Sequence, residues 1–66
     1  MIIYQIKQQM ESDEKSWMEA IDIDVNEVII TKRFEDTVVK HPDIYFELVK
    51  VETIETVIEF NETGEN

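Results

Sequence analysis

Cysteine is absent from this chain of 66 residues, and glycine, proline, histidine, tryptophan, leucine and alanine occur once each. No disulfide can form without cysteine, and His41 alone cannot build a structural zinc site, so neither staple common in small domains is available. Packing, or a partner, must hold the fold. Gly64 alone cannot make a glycine-rich phosphate loop, which excludes nucleotide binding by the usual motifs. No apolar run approaches the ~20 residues of a membrane span, and the start Met1-Ile2-Ile3-Tyr4 gives way to Gln5 and Lys7, short of the ~7 to 15 apolar residues of a signal-peptide core. The expectation is a cytoplasmic protein that does not engage membranes.

Positive charge is the other scarcity. Six Lys and Arg stand against sixteen Asp and Glu, a formal charge of −10. Such a chain repels phosphate backbones, which argues against direct nucleic-acid binding and for a basic protein surface as partner. Residues 1–40 hold nine acids and five bases, whereas 41–66 hold seven acids and only Lys50. The plain alternative is a solubilising surface with no partner of its own.

What is abundant is Ile and Val, seventeen together, within a hydrophobic fraction of 42%. That fraction belongs to a folded chain, and branching at Cβ favours strands over helices. From Ile2 to Met10, apolar Ile2, Tyr4, Ile6 and Met10 fall at the period of a half-buried strand with Gln5, Lys7 and Gln9 between them, Ile3 being the one mismatch. The polar stretch 11–16 predicts a reversal into a hairpin, followed by a strand from Trp17 to about Ile23. On it Trp17, Ile21 and Ile23 share a face, with Asp22 and Asp24 turned away beside Met18 and Ala20.

Between Asp24 and Pro42 two readings stand. Asp24 with Glu27 resembles a capping box, and His41-Pro42 resembles a helix stop, which predicts a helix over Val25–Lys40. Against it, many of these residues are β-branched, and Ile30, Phe34 and Val38 fall opposite Val25, Val28, Ile29 and Val39 on a wheel. Such a helix is apolar on two sides, so the segment is either a sandwiched helix or a strand plus loop. From Ile44 to Glu52 the chain reads as a central strand. The segment 54–60 matches both periods, with strand preferred because a helix stacks Glu55 on Glu59.

The fold class that results is α+β: a small antiparallel sheet with one covering helix, in the order β-β-α-β with a fourth strand left open. Residues 1–61 form a single small acidic domain and 62–66 a frayed tail. The core is expected at Tyr4, Ile6, Ile21, Ile23, Phe46 and Leu48.

Chemistry-bearing residues are few. No nucleophile and base can be assembled around His41, which sits beside Pro42 in a turn, so no catalytic residue is assigned and no enzyme is expected. His41 and Asp43 supply at most two metal ligands, and Asp22, Asp24 and Asn26 open like a calcium loop that fails where Glu27 and Arg33 stand. No metal or cofactor site is assigned. The partner-binding candidates are Trp17, whose residue type is enriched at interface hot spots, and the acidic series Glu52, Glu55, Glu59 and Glu62, with Glu47 nearby. Spaced carboxylates of this kind can imitate a phosphate backbone, or can simply protect a sheet edge.

In size, acidity and expected element order, the chain resembles the small early proteins of bacteriophages. The resemblance covers the general plan and rests on no motif. It implies an inhibitor or modulator of a nucleic-acid-handling enzyme, acting through a basic groove. A different reading is a structural domain that homodimerises through the second apolar side of its helix and inhibits nothing.

Overall fold

A computed structural model describes residues 1–62. The chain runs β1 (Ile3–Glu11), β2 (Ser16–Asp24), α1 (Glu27–Lys40), β3 (Phe46–Val51) and β4 (Glu55–Phe60). The four strands form one antiparallel sheet in the order β2-β1-β3-β4, and α1 packs over β2, β1 and β3 but not over β4. The chain is thus an α+β fold. The ambiguous segment 54–60 is a strand, and 25–40 is mainly helix. The expected frayed tail falls on 63–66, outside the described residues, and on Glu62, which is exposed past β4. No helix among the described residues is long and apolar enough to cross a membrane.

The helix begins two residues later than the capping box at Asp24 predicts. Asn26 is the cap, extended at φ −98° and ψ 112°, and its side-chain oxygen accepts the Ile29 N–H at 3.1 Å. Asp24 instead accepts the Asn26 N–H at 2.9 Å, holding the chain in the turn that leads to the cap. Both residues carry a short side chain able to cap, and the one three positions before a free helical N–H takes the role. At the other end the helix stops before Pro42, with the His41 N–H closing on the Thr37 carbonyl at 3.0 Å. Glu27 in the first turn and Lys40 in the last complement the helix dipole.

The core lies between α1 and the sheet. Ile30 and Phe34, four apart on one helix face, meet Tyr4 and Ile6 of β1 and Phe46 and Leu48 of β3, with Val38 and Ile44 packed at the margin. The cross-strand register explains the set, since Ile6 pairs with Leu48 and Gln8 with Phe46, so every second residue of both strands reaches the helix.

Two of the six expected core residues are not there. Ile21 and Ile23 are 45% and 55% exposed. Ile6 pairs with Asp22 and Lys7 with Ala20, leaving Ile21 as an unpaired extra residue, a β-bulge. An inserted residue reverses the alternation beyond it. Trp17 and Asp22 therefore share the helix side with Met10 and Ile6, their partners, and Ile23 turns to the open side. The expected face of Trp17, Ile21 and Ile23 is divided, and the two aspartates expected to face solvent lie under the helix.

Arg33 makes that arrangement tolerable. Its guanidinium donates to Asp22 at 2.8 Å and to Asp24, from the helix across to the edge strand. The carboxyl group of Asp24 is held below its usual range, first by the Asn26 N–H and then by Arg33. The Arg33 guanidinium is pushed up in turn, chiefly by its bond to Asp22.

Candidate protein-binding surfaces

The fold leaves β4 open. It is an edge strand whose six residues are all exposed, because α1 stops short of it. Between the helix and this strand runs a groove of about 270 Å³, with Phe34, Val38 and Val39 on one wall and Phe60 and Asn61 on the other. Glu35 and Glu59 border the same groove. Leu48 pairs with Glu59 and Val49 with Val57, so Ile58 is a second bulge and Glu59 shares the helix side with Leu48.

Asn61 secures the end of this strand. Its side-chain oxygen accepts the Phe46 N–H at 2.7 Å, and its side-chain nitrogen donates to the Ile44 carbonyl at 2.9 Å. One amide thus continues the ladder with β3 after the strand itself ends, and gives the groove a fixed wall. The reading of the sequence assigned Asn61 no role. Nothing in its neighbours signals one, because the bond partners lie fifteen and seventeen positions away.

The expected partner-binding residues occupy several places. Trp17, 38% exposed, sits on β2, the edge opposite β4 and about 14 Å away across three strand spacings. Its indole donates to Glu19 at 3.2 Å, and the Lys15 ammonium lies 5.4 Å from the ring centre. Glu52 is exposed in the turn between β3 and β4. Glu55 lies on the open side of the sheet in an ion pair with Lys7, Glu59 borders the groove, and Glu62 follows Asn61. The structure brings Glu59 into one surface with the unexpected Glu35, and keeps Trp17 apart from all of them.

The carboxylates divide by what they touch. Glu19, Asp22, Asp24, Glu27, Glu47 and Glu55 are engaged by Trp17, Arg33, Tyr4, Tyr45 or Lys7. Tyr4 donates to Glu27 at 3.2 Å and Tyr45 to Glu47 at 2.9 Å. Burial, then the neighbouring carboxylate, pushes both phenols above their ordinary range. Among the described residues, Glu11, Asp13, Glu14, Glu35, Asp36, Asp43, Glu52, Glu59 and Glu62 have no such partner. They form two main groups. Glu35, Glu59 and Glu62 lie on the β4 side. Glu11, Asp13 and Glu14 gather at the β1–β2 turn, where Glu11 and Asp43 line one recess of about 230 Å³.

Apolar exposure is spread in a different way. Val28 and Val39 on the outer side of α1 are 79% and 78% exposed, but Lys32, Glu35 and Asp36 stand among them. The second apolar side of the helix is therefore real and interrupted by charge. Compared with protein-family models, curated proteins and solved structures, the chain matches none of them.

Proposed function

We propose that the chain is a small acidic protein-binding module without catalysis of its own, which acts in the cytoplasm as an inhibitor or modulator of a nucleic-acid-handling enzyme by occupying a basic groove on it. The observation that carries this reading is the division of charge. Arg33 and Lys7 spend their charge on the molecule's own carboxylates, so the acids left outward, on a body of net charge −10, are opposed only by Lys15, Lys32, Lys40 and Lys50 and keep a negative field. Such a field steers association with basic surfaces and stands in for the charge of a nucleic-acid backbone. The phage-like general plan of the chain agrees with that role.

A partner captured on the immobilised protein from its native host supplies the test. Association should slow as salt rises, because screening shortens the field to about 8 Å near physiological ionic strength. Duplex DNA should compete for the same partner. Replacing Glu52, Glu55 and Glu59 together by Gln should slow association more than replacing Glu11, Asp13 and Glu14. A rate indifferent to salt removes the electrostatic mechanism. The second reading, a homodimerising structural domain, draws on the exposed Val28 and Val39, and a stable dimer in sedimentation of the isolated protein would favour it.

A further inference from the structure

The two edges of the sheet are not equivalent. On β2 the helix packs overhead, Asp22 and Asp24 are neutralised by Arg33, and Glu19 is held by Trp17. On β4 there is no helix overhead, and the strand is fastened at its end by Asn61. Beside it lies the groove floored by buried Phe34 and bordered by Glu35 and Glu59. An edge strand offers a row of unpaired N–H and C=O groups, a template for another strand. We propose that β4 is the docking edge for an extended segment of a partner protein with alternating basic and apolar side chains, which adds as a fifth strand.

The alternation follows from the geometry. Side chains of an added strand point in turn to the helix side and the open side. The basic ones take the helix side, where the alkyl stems of Lys or Arg lie in the groove over Phe34 and Val38 and their cations meet Glu35 and Glu59 at its rim, and the apolar ones take the open side beside Val57. Main-chain bonds supply the attachment, and the side chains supply the choice of partner. Charge decides against a second copy as occupant. A second copy would bring a body of net charge −10, with its own exposed Glu55 and Glu59, against this acidic edge, and the two would repel. This inference rests on the reading of the chain as a module for basic surfaces and adds where and how the partner sits.

The test uses the whole protein and a synthetic heptapeptide, Lys-Val-Lys-Val-Lys-Val-Lys, with two analogues N-methylated at alternate positions, odd in one and even in the other. Only every other N–H of an added strand points at its neighbour. One analogue should therefore lose at least tenfold in affinity while the other stays within about threefold of the parent. Amide resonances of β4 should move and exchange more slowly on binding. The charge reversals E35K and E59K together should weaken binding more than tenfold, and D13K with E14K less than threefold; E35Q with E59Q repeats the comparison without new cations. Equal losses for the two analogues, shifts centred on β2, or equal effects of the two double reversals overturn strand addition. Salt-sensitive binding that ignores the methylation register overturns strand addition and leaves the acidic module standing. No binding at low salt removes both.

Discussion

The Lys7 ammonium and the Glu55 carboxylate join β1 to β4 over the top of Val49. Lys7 pairs with Glu47 and Glu55 with Val51, so the line between them crosses β3 at Val49, which is 1% exposed on a sheet face that has no covering layer. Gln5 and Val57, its cross-strand partners, close the flanks. The Lys7 stem, reaching along that line to Glu55, is placed to cover Val49 with its alkyl carbons while its charge sits at the rim. Lys7→Ala should therefore cost about 1 kcal/mol by uncovering apolar surface, whereas Glu55→Gln, which removes only an exposed ion pair, should cost about 0.5 kcal/mol or less. Urea denaturation of the two variants makes the comparison, and equal losses would contradict that cover.

Truncation of the core should separate the expected set from the observed one. Phe46→Ala should cost about 3 to 5 kcal/mol, close to the whole stability of a small domain. Ile23→Thr, on the open side beyond the bulge, should change stability by no more than about 1 kcal/mol. A loss at Ile23 as large as that at Phe46 would return it to the core.

Acid should weaken the junction between α1 and β2. Asp24 has a depressed folded-state value, so its contribution is complete above the unfolded carboxyl range near pH ~4 and is lost as pH falls through the folded value. The melting temperature of the unmodified protein should fall over that interval. Asp24→Asn should be the less stable protein at pH 7 and lose less on acidification. Parallel pH profiles for the two proteins would rule out Asp24 as the source.

Salt should act on stability in the sense opposite to that expected for the proposed partner binding. With −10 on a small body, self-repulsion opposes the folded state, and screening relieves it. Thermal melts at pH 7 should shift upward between low and physiological NaCl. A downward shift would mean that the ion pairs of Arg33 and Lys7 outweigh the repulsion.

Asn61→Asp is a one-atom test of the strand clamp. The new oxygen faces the Ile44 carbonyl where a donor stood, so the cost should be about 1 to 3 kcal/mol. Amide exchange should quicken along β4 more than along β1. Uniform quickening would show that the clamp is not local.

The strands β1 and β3, the hairpin and the helix stop at Pro42 were legible because each rests on a local pattern: alternation, a polar turn, or a missing N–H. The errors arise where a distant residue overrides such a pattern. The bulge at Ile21 reverses the faces of β2, and what makes the reversal tolerable is Arg33, eleven positions after Asp22 and nine after Asp24. The cap moved from Asp24 to Asn26 for the same reason, since Arg33 and the turn claim the aspartate. Of the candidate surface, Glu59 was legible as an exposed acid. Its neighbours Glu35 and Phe34 were not, because they join it only once the helix lies across the sheet.

The strand order sets a timetable for folding. β1 is central, but its partner on one side, β3, begins thirty-five residues after β1 ends, whereas β2 follows after a short turn. A growing chain can close the first hairpin and wind the helix early, yet Phe46 and Leu48, half of the sheet's share of the core, arrive late. Until then one flank of β1 is bare, and Ile6 and Phe34 lack their final neighbours. Distant pairings of this kind slow folding, because the loop must close before any contact rewards it. Through that interval mutual repulsion between these acidic nascent chains opposes association of their unfinished edges, so the surface charge also bears on synthesis.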